Sequence, residues 1–442
     1  MSKLGNLYRK TGWHTVFSFD DEKTSARTYI LSATAMQAVV NGLSTGVFYT
    51  GFLLGYGIDI VNLSILTVIP YLCSLFSLLT PYILDRFPKR RGILSAARIV
   101  YYAINIIGIT VLPKLITEPG ARVAGLVAIV FAANAINFLF AGYSPWHMAY
   151  ITPEVRTAYF SATSMASNLI GTSVALLTSL LTERLEAEAQ MELFVIMRLL
   201  AFAFAALDVY FLQKPREPEY LLSQSRPKLL SVFTLPFRNR KFMLTMFLYT
   251  LYALGANLTT SVLTTWQLQD VKTGYVFPST LNVIFPLFVL FTSSPWSRFL
   301  QRYGNLKSLA MSCTALSVSY LGYCFVDHSN YLWLLAAVRI VQHGIGMIQH
   351  YSVSNLIYLN LPKEDQTAFT SFYTIIANLG AFASMSLGTW VVAAMGQNTW
   401  RFLGHTMTSV PTLLLAQAVI LWLTSGIILL LRVKTEPEGR RL

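Results

Sequence analysis

Long apolar stretches alternate with short polar ones from one end of the chain to the other. Predominantly apolar runs lie near 29–54, 60–83, 92–112, 121–143, 157–181 and 192–213. After a polar stretch they resume near 242–266, 277–297, 306–326, 330–353, 367–394 and 410–432. Each can cross a hydrocarbon core of about 30 Å, which takes about 20 residues of α-helix. The runs are continuously apolar and do not alternate, so they predict helices, not barrel strands. The pattern therefore predicts an all-α integral membrane protein with twelve transmembrane helices. Its parts are an N-terminal segment (1–28), a six-helix bundle (29–213), a linker (214–241), a second bundle (242–432) and a tail (433–442).

Composition agrees with this reading. Of 442 residues, 54% are hydrophobic and 12% charged, against about 25% charged in soluble domains. The net charge of +13 raises the question of nucleic acid. The basic residues sit in short clusters between apolar runs, which is the pattern of membrane loops and not of a phosphate groove. With the N-terminus inside, 25 of the 33 Lys and Arg fall on that side, 5 on the other, and Arg98, Arg198 and Arg339 within spans. That imbalance predicts cytoplasmic termini. No cleavable signal follows Met1, and "KLGNLYRKTGWHTVFSFDDEK" reads as a membrane-surface segment or a disordered tail. Cys73, Cys313 and Cys324 lie inside apolar runs without metal-ligand spacing, as packing residues do.

The halves of the chain resemble each other. "TAYFSATSMASNLIG" from Thr157 aligns with "TAFTSFYTIIANLG" from Thr367, matching Ser161 with Ser371 and Asn168 with Asn378. "PYLCSLFSLLTPYILDRF" from Pro70 aligns with "PLFVLFTSSPWSRFLQRY" from Pro286, matching Arg86 with Arg302 and Phe87 with Tyr303. Apolar residues match anything in greasy helices, but Pro and polar positions do not, so a duplication is expected. Two bundles related by an axis along the membrane normal can rock about a central site.

Between spans two and three stands "LDRFPKRRG", with a weaker echo, "LQRYGNLKS", in the second half. Here the chain resembles the major facilitator superfamily, whose loop at this place carries Gly-x-x-x-Asp-Arg/Lys-x-Gly-x-Arg/Lys-Arg/Lys. Asp85, Arg86, Arg90 and Arg91 match the charged positions, while Pro81 and Pro88 stand where the family has Gly. The resemblance implies a gating latch that closes in one state and releases as the bundles rock. A plain topology signal explains some of the basic residues, but not Asp85.

The resemblance further implies that spans 1, 4, 7 and 10 line a central cavity and that 3, 6, 9 and 12 face lipid. Ionisable residues inside spans are costly and mark function by default. Arg339 in "AAVRIVQHGIGMIQH" is the sharpest case. At helical spacing it shares one face with Gln342, His343, Gly346 and His350. The alternative is an Arg that pins helices through carbonyls. Softer candidates are Asn41, Ser44, Thr45 and Tyr49 in span one, Asn134 and Asn137 in span four, and Tyr252, Asn257, Thr260, Trp266 and Gln267 in span seven. Arg98 and Arg198, within reach of the interface by snorkelling, read as structural residues, Asp208 as solvated, and His147 as a loop residue.

No Asp or Glu occupies a cavity-lining span away from its ends, so any coupling proton falls to His343 or His350. An Arg without carboxylates favours an anionic or hydroxyl-rich solute over a cationic drug. The expectation is a secondary or facilitated transporter of a small polar or anionic organic solute, working as a monomer in the lipid bilayer. A bacterial inner membrane, a coupling proton or ion and no cofactor complete it. The rivals are an exporter of amphipathic compounds, which the aromatics suit, and a non-transporting receptor or lipid-handling protein. No nucleophile–base set or phosphate-binding loop signals an enzyme or direct use of ATP.

Overall fold

The computed structural model describes residues 13–84, 86–217, 229–362 and 366–435. Every predicted apolar run is helical. Span 1 is Glu22–Ser44 with Gly46–Gly55, span 2 begins as Ile60–Cys73, and span 3 comprises Arg91–Tyr102 and Ile109–Leu115. Span 4 is Pro119–Asn137 with Tyr143–Met148, span 5 is Pro153–Thr182 and span 6 is Ala187–Leu212. Span 7 is Arg240–Ala256 with Leu263–Trp266, span 8 is Val276–Tyr303 and span 9 is Asn305–Tyr323. Spans 10, 11 and 12 are Tyr331–Leu359, Gln366–Met395 and Ser409–Thr435. Among the described residues nine of these are long and apolar enough to cross a membrane on length and hydropathy alone. Spans 7, 8 and 9 fall short of that measure. Span 7 is broken at Asn257, span 8 counts over its described residues as a shorter apolar helix, Val276–Phe288, and span 9 buries Ser308, Ser312, Ser317 and Ser319.

Span 1 begins at Glu22, earlier than the apolar run, because Asp21 caps it. The Asp21 carboxylate accepts from the amides of Lys23 and Thr24, and those bonds hold its pKa below the ordinary value. The linker also holds a helix, Leu229–Arg238, which packs on span 11 with Leu235 against Phe242, Phe369 and Phe372.

Two compact units result. One holds the chain to Tyr56 and from Phe76 to the linker, and the other holds Gly57–Leu75 and everything after the linker. In the first, span 1 packs on spans 5 and 6, and span 3 packs on span 4. Its core gathers Leu84, Leu94, Tyr143, Trp146, Tyr150 and Tyr159, and Val16 and Phe17 of the N-terminal segment join them. Arg27 ties that segment down, donating to the carbonyls of Thr15, Val16 and Tyr150. In the second unit, span 9 lies between spans 10 and 12, span 7 packs on spans 11 and 12, and Ile60–Cys73 packs on span 11. A two-stranded hairpin, Trp400–Phe402 with His405–Met407, joins spans 11 and 12.

Several spans are interrupted. Span 1 breaks at Gly46, whose φ of 61° belongs to the left-handed region. Span 3 widens into a π-helix over Ala103–Gly108. Such breaks free carbonyls, and in lipid each needs a donor within the protein. Arg198 supplies it for both. Its guanidinium donates to the carbonyls of Ser44 (3.3 Å), Asn105 (3.0 Å) and Ile106 (3.2 Å) and to the Thr110 hydroxyl (2.7 Å). It also lies over the Phe52 ring at 5.1 Å. The role is structural, as expected, but the side chain does not snorkel: Arg198 is 3% exposed and its head points inward.

Two substitutions test this packing. A Cβ on Gly388 of span 11 would stand 2.0 Å from the Leu258 carbonyl oxygen, where span 7 is broken, whereas one on Gly426 meets nothing within 4 Å. Overpacking costs typically about 1–3 kcal/mol, so Gly388→Ala should lower the melting temperature by several degrees and Gly426→Ala should not. Arg198→Met strands the carbonyls of two helix breaks, and loses about 1.5–3 kcal/mol at the scale of hydrogen bonds to charged groups. Thermal unfolding of the purified protein in detergent reads both.

Candidate functional site

Span 10 carries one polar stripe down an apolar helix, and the second unit folds around it. Arg339, Gln342, His343, Gly346, Gln349, His350 and Val353 recur at helical spacing and line a cavity of about 360 Å³. Tyr252 of span 7, Phe285 of span 8 and Leu316 and Tyr320 of span 9 close its walls. Arg339 lies near one end of the stripe. It donates to Asn282 Oδ1 of span 8 (3.0 Å) and to Gln342 Oε1 (3.3 Å). Among the described residues it has no carboxylate partner, so its positive charge is not neutralised by the protein.

The Arg339 bond fixes Gln342 by occupying its carbonyl end. Gln342 Nε2 and His343 Nε2 are buried with no partner in the protein. The His343 ring lies beside Phe285, with centroids 5.5 Å apart. One guanidinium, one amide and one imidazole nitrogen are thus set along a single helix face beside an aromatic wall. A Cβ at Gly346, in the middle of the stripe, would meet nothing within 4 Å. That glycine leaves the space open. The arrangement can take an acceptor-rich or anionic group and stack an apolar edge.

Of the residues picked out in the sequence, Arg339, Gln342, His343 and Tyr252 are brought together here. The four asparagines are not. Asn134 and Asn257 turn back on their own helices, donating to the carbonyls of Val130 and Ala253. Asn41 is exposed just before the break in span 1, its carbonyl accepting from Thr45, and Asn137 closes the first α-helical part of span 4. Asn282 and Gln349 were missed. A lone Asn in span 8 pairs with Arg339 only across 57 residues of chain, and Gln349 completes the stripe's own period.

The first unit has a larger cavity of about 580 Å³ between spans 1, 4 and 5. Its polar lining is Thr34, Ser144, His147, Tyr159, Thr163, Ser164 and Ser167. His147 therefore faces a cavity, against the reading of it as a loop residue. Behind that wall Arg98 and Asp208 form a buried ion pair, Nε to Oδ2 at 2.6 Å. The Tyr102 hydroxyl donates to the same oxygen at 2.8 Å. Asp208, taken from the sequence as solvated, is fully buried. The aromatic faces of spans 3 and 4 make room for a charge pair that the one-dimensional pattern cannot show.

In "LDRFPKRRG" Asp85 lies outside the described residues. Arg86 stands over the Tyr82 ring at 5.6 Å. Glu217, just past span 6, accepts from the amides of Arg90 and Arg91 and so caps the start of span 3. Arg91 donates to the Gln213 carbonyl at 3.2 Å, and Trp146 and Tyr150 donate to that of Arg216. The loop is thus tied to the chain leaving span 6. Among the described residues no group of three or more His, Cys, Asp or Glu could hold a metal ion.

The family model of the Major Facilitator Superfamily matches residues 245–441. No curated protein sequence matches the chain. Solved structures share its fold over almost its whole length. A mutant of the nucleoside transporter NupG aligns with a TM-score of 0.70 at 15% identity, over 92% of this chain and 99% of that one. A D-xylose–proton symporter gives 0.67 at 13%, over 95% and 99%. The human organic anion transporter MFSD10 gives 0.59 at 12%, over 92% and 100%. These are transporters and not enzymes. With the Major Facilitator Superfamily model on residues 245–441 and the fold of these transporters across nearly all of its residues, the chain is a multi-pass membrane protein that is similar to the major facilitator superfamily in its second half and in its fold.

Proposed function

We propose that the protein carries a small polar or anionic organic solute across the membrane by alternating access, with the stripe of span 10 as its binding surface. The observation that carries this is the unneutralised Arg339 beside the partnerless nitrogens of Gln342 and His343 in an open cavity. Unpaired buried donors cost stability in the empty protein and return it when an acceptor binds. Tyr252 and Phe285 supply the apolar walls, and Gln349 and His350 extend the polar face. The proteins whose fold it shares are named for a nucleoside, for D-xylose with a proton and for organic anions. All three cargoes are polar.

We assign gating to Asp85, Arg86, Arg90 and Arg91. Charge-assisted bonds at the start of span 3 can form in one state and release in another, and Glu217 shows that this helix start attracts a carboxylate. Asn41, Asn134, Asn137 and Asn257 are retained as contacts of a state in which their helices turn differently. The charge asymmetry supports cytoplasmic termini in a cell membrane, which we assign as bacterial.

The test is a thermal-shift screen of the purified protein against sugars, organic acids, nucleosides, amino acids and cationic drugs. A ligand at 100 times its dissociation constant stabilises by about 2.7 kcal/mol. Stabilisation by an anion or polyol, lost in Arg339→Ala, is expected. Gly346→Phe should abolish the shift by filling the cavity while leaving the unliganded melting temperature within a few degrees. Stabilisation by cationic amphiphiles alone, unchanged in both variants, would overturn the reading.

A further inference from the structure

Two consecutive residues of span 8 hold two residues of span 10 that lie one turn apart. Asn282 Oδ1 accepts from Arg339 at 3.0 Å. The Leu281 carbonyl accepts from the His343 ring. His343 Nε2 has no partner in the protein, so the nitrogen that reaches Leu281 is Nδ1. Phe285, one turn further along span 8, lies beside the same ring with centroids 5.5 Å apart.

That hold decides what the free nitrogen can do. A neutral imidazole has one N–H and one lone pair, and the bond made by one nitrogen fixes the role of the other. A carbonyl only accepts, so Nδ1 carries the hydrogen and Nε2 keeps the lone pair. The neutral ring is the form that fits this place. Among the described residues no carboxylate lines the cavity, and Arg339 already puts a positive charge one turn away. Gln342 Nε2 differs, because an amide nitrogen only donates, and its carbonyl oxygen is taken by Arg339.

The stripe is therefore not uniform. Arg339 and Gln342 offer a positive charge and donors, and His343 offers an acceptor about 6 Å along the helix from Arg339. A plain carboxylate answers the first and leaves the second buried and unpaired, which is unfavourable. We propose that the solute is an organic anion that also carries an O–H or N–H donor, set about one helical turn from its charge and received by His343 Nε2. The proposal rests on the span 10 stripe being the solute site, and names the class of solute that it takes. The rings of Tyr252, Phe285 and Tyr320 in the cavity wall suit a flat body between the two groups.

Two measurements on the full-length protein test it. In lipid at about pH 8, where an ordinary histidine is neutral, nitrogen-15 NMR of histidine-labelled protein should show the His343 ring protonated at Nδ1 alone. Its signals are those lost in His343→Phe. A hydrogen on Nε2 overturns the proposal whatever binds. In detergent, melting temperature is followed against 4-hydroxybenzoate, benzoate and 4-methoxybenzoate, whose para oxygen, where present, lies at a suitable reach from the carboxylate. The hydroxy acid should bind about fivefold or more tighter than the other two. The preference should vanish in His343→Phe while benzoate still binds. The wild-type order of the three acids decides even if that variant does not fold. Equal shifts from all three that disappear in Arg339→Ala would overturn this proposal and leave the solute reading standing. A hydroxyl preference that survives in His343→Phe also overturns it. No shift from any anion overturns both.

Discussion

In a bilayer no water waits to bond a freed carbonyl, and most of this structure answers to that constraint. Straight helices meet it by themselves. These spans are not all straight: span 1 breaks, span 3 widens and span 7 is interrupted. Each departure must be met by a donor from elsewhere in the fold. Arg198 does this for spans 1 and 3 at once. Ser384 and Gln417 do it near the break in span 7, donating to the carbonyls of Leu254 and Ala256. The chain can bend its spans only where such a donor reaches them.

This explains why the in-span arginines divide by role. Each carries the same charge into an apolar run, so the sequence pattern treats them alike. Arg198 spends its donors on carbonyls, Arg98 on a carboxylate within an aromatic box, and Arg339 on two amide oxygens beside a cavity. The first is a pin, and the second is half of a neutral pair. The third keeps its charge available. What separates them is the chemistry of the neighbouring helices, which no local window contains.

The long apolar runs made the helices legible, because length and hydropathy act within one segment, and the measure weakens only at spans 7, 8 and 9. The stripe of span 10 was legible too, since Arg339, Gln342, His343 and His350 recur on one helix. The asparagines are ambiguous for a physical reason: an Asn in a helix can bond the carbonyl four residues back, as Asn134 and Asn257 do. Sequence cannot tell that inward turn from one toward a cavity. Asp208 misled because distance from a span's end was taken as a measure of solvation. Its partners come from 110 and 106 residues away.

The two units therefore hold polar chemistry of different kinds. In the second, donors lie open along a single helix and their acceptors are missing, so the unit is incomplete until something binds. In the first, the charges already satisfy each other, since Asp208 Oδ2 accepts from both Arg98 and Tyr102. A surplus of fixed donors selects a solute by its oxygens. The satisfied pair and the open stripe thus belong to different helix bundles, Asp208 with Arg98 to one and Arg339 with its stripe to the other.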